Sequence, residues 1–173
     1  SDRIAVQAVA DEFNRLCDEA ATVNPAYCLM SGPQGAAATY LAVAESLKQT
    51  PVVLPNGALY TYDKLISQTV GCMYTPEQWP ACANFVAFLA YALRGDDGAA
   101  EKAAATMRGI AEAWHAADGG RAYNNQFDAS FGVMCSDTQY RVPFAHYAAL
   151  DGWATKGSVF GPYWWWLNVP CAV

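Results

Sequence analysis

Residues 75–95 read TPEQWPACANFVAFLAYALRG, and their interpretation decides the fold class of the 173-residue chain. Thr75, Pro76 and Gln78 stand in the order of a capping box, with a hydroxyl N-cap, a proline at the first helical position and a glutamine at the third. Behind them Trp79, Ala83, Val86, Leu89, Ala90 and Leu93 recur at helical period. Arg94-Gly95 is a stop signal, because glycine adopts without steric cost the left-handed conformation that ends helices. Pro80 complicates the start, since a proline in the first turns kinks a helix or displaces its beginning.

Working outward, the same period recurs on both sides. Residues 2–21 are predicted helical, with Val6, Val9, Phe13, Leu16 and Ala20 on one face, and Asn24-Pro25 breaks the run because a residue before proline leaves the α region. A second helix is predicted over 35–49, with Tyr40, Leu41, Ala44 and Leu47 as its apolar stripe. Between it and the opening stretch, residues 51–60 change character: Val52-Val53-Leu54, then Pro55-Asn56-Gly57, then Ala58-Leu59-Tyr60 read as a short β-hairpin, with Thr61 placed to cap a helix through Met73. Towards the C-terminus, helices are predicted over 98–117, with Met107, Ile110 and Trp114 at core spacing, and over 143–154, while the apolar stretch 127–135 is ambiguous by period and is read as helix. A loop at 119–125 follows the first, and an aromatic run from Phe160 to Leu167 leads to Pro170-Cys171. No repeat, linker or composition shift divides the sequence. The expectation is one mainly α domain over 1–173 with a single small hairpin near 52–60.

Composition closes off several classes of function. Hydrophobic residues make up 54% and charged ones 15%, enough apolar surface for a core, so disorder is excluded. No segment reaches the roughly 18–20 uninterrupted apolar residues of a membrane-spanning helix. The net charge of −6 and scattered Lys and Arg leave no electrostatic footprint for nucleic acid or an anionic membrane. Six cysteines in so short a chain point to an oxidising compartment. The opening Ser1-Asp2-Arg3-Ile4 has no signal-peptide character, so a secreted protein whose leader has been removed is expected.

Six cysteines allow fifteen pairings, and sequence alone does not choose among them. The nearest-neighbour set is favoured: Cys17–Cys28 and Cys72–Cys82 close short loops at helix ends, which leaves Cys135–Cys171 by elimination. Each short bridge contributes about 3 kcal/mol in the chain-entropy model. No Cys-x-x-Cys occurs and neither histidine sits at ligand spacing, so no metal and no cofactor are expected. His115, in the last turn of an Ala-rich helix, and His146, beside Phe144 and Tyr147, have no motif supplying a nucleophile or an orienting acid. No Gly-x-Ser-x-Gly elbow is present either.

Three segments nevertheless stand in an informative order: Tyr74-Thr75-Pro76-x-x-Trp79-Pro80, then Asp128-Ala129-x-x-Gly132-Val133-x-Cys135-x-Asp137, then Phe160-Gly161-Pro162 before Pro170-Cys171. Together with Cys17 and Cys28 they resemble the lid region of secreted α/β-hydrolases of the tripeptidyl aminopeptidase-like family of serine peptidases. The family's nucleophilic Ser precedes its lid and the triad Asp and His follow it; none matches a position here. The family also tends to continue the last motif as Cys-x-x-Trp, whereas this sequence reads Cys171-Ala172-Val173.

The resemblance implies a substrate-gating lid that works with a catalytic α/β-hydrolase core, from the same precursor or a separate chain, on a peptide or small ester. Its counterpart from another class is a secreted, disulfide-stapled helical binding module with no catalytic role. Because an exopeptidase must recognise a free α-ammonium group, Asp128 and Asp137, which fall at acidic positions of the family motif, are the candidate substrate-binding carboxylates. Asp137, just after Cys135-Ser136, equally suits a turn cap. Trp79 and Tyr74 are candidates for the pocket lining, or core aromatics beside a disulfide. The consecutive rings Tyr163, Trp164, Trp165 and Trp166 cannot all face inward from one helix, so a surface docking on the catalytic core is expected there, with a lipid-facing or hydrophobic-substrate patch as the alternative.

Overall fold

The structure, a computed structural model, describes residues 2–54, 57–102, 104–105, 135–136, 143–154, 156–167 and 169. They are mainly helical with one two-stranded antiparallel hairpin, as the sequence leads one to expect. The chain gathers into two compact units, Ala8–Ala117 and Ser1–Gln7 with Asp118–Val173.

Helix α1 spans Asp2–Val23. Its buried positions are Val6, Ala10, Phe13 and Cys17, whereas Leu16 is exposed. The stripe is thus rotated by about one residue from the expected Val9, Leu16 and Ala20. The Cys17–Cys28 bridge accounts for this, since it ties one edge of α1 to the chain that follows. A 3₁₀ turn at Pro25–Tyr27, begun by Asn24, whose side chain accepts from the Ala26 N–H, turns the chain where Asn24-Pro25 forbids further α-helix.

Helix α2, Ala36–Gln49, begins after Gly35, which sits at φ 89° and carries no capping side chain. The cap comes from α1 instead: Asp18 Oδ1 accepts from the Ala36 N–H at 2.8 Å and from Ser31 Oγ at 2.6 Å. A Cβ on Gly35 would come within 3.0 Å of that carboxylate, so glycine is needed for the approach as well as for the backbone angle. On α2 Tyr40, Val43, Ala44 and Leu47 are buried while Leu41 is exposed, so Val43 takes the place expected for Leu41.

Strands β1 (Val52–Val53) and β2 (Leu59–Tyr60) pair in the register Val52↔Tyr60 and Val53↔Leu59. Gly57 takes a left-handed φ of 81° in the connection, as the Asn-Gly signal predicts, although Asn56 lies outside the described residues. Helix α3, Tyr62–Met73, starts at Thr61 as expected, but the Thr61 hydroxyl makes no capping bond.

The opening stretch also departs from its expected start. Thr75 makes no side-chain cap; Pro76–Gln78 forms a 3₁₀ turn, and helix α4 runs from Trp79 to Leu93. The reason is Pro80. Had the α-helix begun at Pro76, the Pro80 ring would meet the Pro76 carbonyl and its missing N–H would leave a gap in the ladder. Displacing the start to Trp79 puts Pro80 in the first turn, where neither matters. From there Cys82, Ala83, Val86, Ala87, Phe88, Leu89 and Ala90 are all buried, making α4 the hub of the larger unit, packed on α2, α3 and β1. It ends in a Schellman motif, with Gly95 N–H donating to the Ala92 carbonyl, Asp96 N–H to that of Tyr91, and Gly95 at φ 71°. Asp96 then caps the next helical residues, 97–102, through Ala99 N–H.

In the smaller unit, helix α5 (Phe144–Ala154) packs against the short helix α6 (Gly161–Trp166). The Gln7 side chain accepts from the Val159 N–H at 3.0 Å and so fixes the approach to α6, whose N-cap Phe160 is 2% exposed.

Candidate functional site

The bridges Cys17–Cys28 and Cys72–Cys82 form as expected. Cys135 is disulfide-bonded too, while Cys171 lies outside the described residues. So do Asp128, Asp137 and His115.

Around the second bridge the Trp79 indole N–H donates to the Cys72 carbonyl at 3.1 Å. Its ring meets Phe13 of α1 edge-on at 5.4 Å between centroids. Trp79 therefore closes the α3–α4 corner from inside and braces it against α1. Tyr74, one turn earlier, is 66% exposed. The two candidates for a shared pocket lining sit differently, one packed beside the bridge and the other at the surface.

The aromatic run divides its work between packing and surface. Trp165 donates through Nε1 to the Tyr147 carbonyl at 2.8 Å, and Trp166 to Asp151 Oδ1 at 2.7 Å. The ring pairs are Tyr147 with Trp165, Phe144 with Trp166, and Tyr163 with Trp164. Tyr163, Trp164 and Trp165 are half-buried while Trp166 reaches solvent, as does Trp153 of α5 at 71% exposure. His146, on the same helix, is exposed.

One concave feature of the larger unit was missed by sequence reasoning. A cleft of about 410 Å³ opens between α2, α4 and the loop after Cys28. Its apolar wall is Met30, Ala87 and Ala90, all buried; Thr39 and Ser31 line its sides, and Tyr91 and Arg94 stand at the end of α4. The volume exists because α4 presents alanine at two positions one turn apart, between core positions that carry Val86, Phe88 and Leu89. The loop wall is held by the Cys17–Cys28 bridge and by Asp18. The Thr39 hydroxyl donates to the Gly35 carbonyl, and the Ser31 hydroxyl to Asp18. Arg94 lies over the Tyr91 ring, 5.1 Å from its centroid. The only signal in the sequence was a missing one, the small side chains at Ala87 and Ala90.

Among the described residues no three His, Cys, Asp or Glu side chains gather where they could hold a metal ion. Burial pushes the phenols of Tyr40 and Tyr60 well above their ordinary value, and that of Tyr62 upward as well. No described helix is long and apolar enough to cross a membrane. No protein-family model, curated protein or solved structure matches the chain.

Proposed function

We propose that this chain is the helical lid of a secreted serine hydrolase resembling the tripeptidyl aminopeptidases, acting on amide bonds near a free N-terminus with a Ser-His-Asp triad supplied from outside residues 1–173. The observation that carries the reading is the Tyr74–Trp79 corner. The segment bearing the first motif of the resemblance is also a stapled joint, with Trp79 bonded to Cys72 and braced on Phe13. A lid has to keep its shape at the edge of a cleft while it excludes water and selects substrates. A joint fixed by a covalent bridge, an indole donor and an aromatic contact meets that need. Secretion accords with the two bridges, which persist in oxidising compartments. In this reading the rings from Tyr163 to Trp166 dock on the catalytic core, Tyr74 faces substrate, and Asp128 and Asp137 recognise its ammonium group. A lid of the same build serves an esterase equally, because the triad performs both reactions.

The test is intact mass and fluorophosphonate labelling of the native material, beside anilide and ester assays of the 173-residue chain alone. The expected outcome is a labelled hydrolase covalently continuous or co-purifying with this chain, and no turnover by the chain itself. In that enzyme Asp128→Asn raises KM for free-amine substrates and leaves N-acylated ones nearly unchanged. Native material of 18.6 kDa with no hydrolase beside it would favour the binding module, for which the cleft at α4 is the specific support.

A further inference from the structure

We propose that the cleft between α2 and α4 binds a small organic carboxylate with an apolar body, the acid held by Arg94 and the body lying against Tyr91, Met30, Ala87 and Ala90. This site stands apart from the lid reading: it needs only the larger unit, and it holds whether or not the chain gates a hydrolase.

The cleft's polar groups are unequal. The Ser31 and Thr39 hydroxyl protons are engaged within the protein, the first on Asp18 and the second on the Gly35 carbonyl. Arg94 makes no ion pair among the described residues, and no carboxylate lines the cleft. A cleft whose one charged lining group is a guanidinium with no ion pair among the described residues selects locally against cations and for an anion, in opposition to the chain's net charge of −6.

Arg94 is also free to act outward. At a helix C-terminus an arginine commonly turns back onto the last carbonyls, but here the Schellman bonds from Gly95 and Asp96 occupy those of Ala92 and Tyr91. The side chain instead lies on the Tyr91 face, which holds the planar fork in place and lowers the entropy cost of pairing.

The remaining walls dictate the rest of the ligand. Met30 and the two alanines offer no donor or acceptor side chain, so the part of the ligand that lies on them is apolar. A single positive charge followed in sequence by exposed Asp96 and Asp97 favours a monoanion over a dianion such as a phosphate ester.

The experiment is a calorimetric titration of the full chain with 4-phenylbutyrate, 4-phenylbutanol, 4-phenylbutylamine and phenyl phosphate, with amide chemical shifts recorded for the first. The acid is expected to bind saturably and about tenfold more tightly than the alcohol, with the amine and phenyl phosphate weaker than the acid. High salt should erode the acid's advantage without touching the alcohol. Shifts should concentrate at residues 29–33 and 87–94. Arg94→Gln, an exposed substitution, should bring acid and alcohol level while the melting curve stays put, and Arg94→Lys should restore part of the preference. Ala90→Leu, which fills the cleft, should weaken acid and alcohol alike. Equal binding of acid and alcohol by the wild type, no binding of the acid, an unchanged preference in Arg94→Gln, or shifts centred elsewhere would each overturn the site.

Discussion

Helices α4 and α5 are built from similar residues and live differently. The first, WPACANFVAFLAYAL, and the second, FAHYAALDGWA, are both rich in alanine and aromatic rings. Yet α4 buries Cys82, Ala83 and an unbroken run from Val86 to Ala90, whereas on α5 Tyr147 is buried while Phe144 and Trp153 are 58% and 71% exposed. The difference lies in the neighbours. Helix α4 is packed by α2, α3, β1 and the stapled corner, while α5 has α6 as its main neighbour among the described elements. Aliphatic and small side chains, with the buried rings of Tyr40, Tyr60 and Phe88 among them, close the hub. In the smaller unit, rings and indole donors hold two helices together along one seam and leave large apolar groups in water. Composition determines how much surface a helix can bury; the surrounding elements determine how much it does bury.

The sharpest way to press this contrast is Leu89→Ala. Leu89 is 0% exposed at the centre of α4, and its loss should cost about 3–4 kcal/mol, read from urea unfolding followed by far-ultraviolet dichroism. A cost below 1 kcal/mol would mean that the hub is loosely packed and that the two helices differ less than described.

Trp165→Phe probes the other side at a smaller scale. It keeps a ring beside Tyr147 and deletes the donor to the Tyr147 carbonyl, for an expected loss of about 1 kcal/mol. A loss as large as that of Leu89→Ala would show that the indole bond, rather than ring burial, holds α5 to α6.

The smallest effect at neutral pH comes from the hub phenols and becomes visible only in alkali. Burial raises the folded-state pKa values of Tyr40, Tyr60 and Tyr62 above the unfolded value of about 10. The neutral phenols' contribution is therefore fully present below about pH 10 and declines as pH rises towards the folded values, because the unfolded chain ionises first. Unfolding midpoints should be flat from pH 7 to 9 and fall above about pH 10. Tyr60→Phe, which also deletes the bond to Gln68, should flatten part of that fall. A midpoint independent of alkali would place these phenols in water.

Most of the described helices and the hairpin were legible because periodicity and turn residues are local. What was not legible came from residues distant in sequence or from atoms that are not there. The face of α1 turned on the tie between Cys17 and Cys28, which its apolar pattern does not encode. The capping box at Thr75 lost to Pro80, five residues on, although both signals lay in one short stretch. The cap of α2 is supplied by Asp18, 18 residues before Ala36, so no local motif announced it. The cleft was least legible, since it arises where Ala87 and Ala90 leave space rather than where a chemically conspicuous group stands.

The first bridge has one more consequence. Val23 and Tyr27, both well exposed, lie inside the loop that Cys17–Cys28 encloses. An exposed turn of this kind is where proteases cut. A nick there would divide the polypeptide without dividing the molecule: one band on a non-reducing gel, two once thiol is added. Its α1 segment would stay fastened beside α2, so Asp18 could keep its grip on the cut protein.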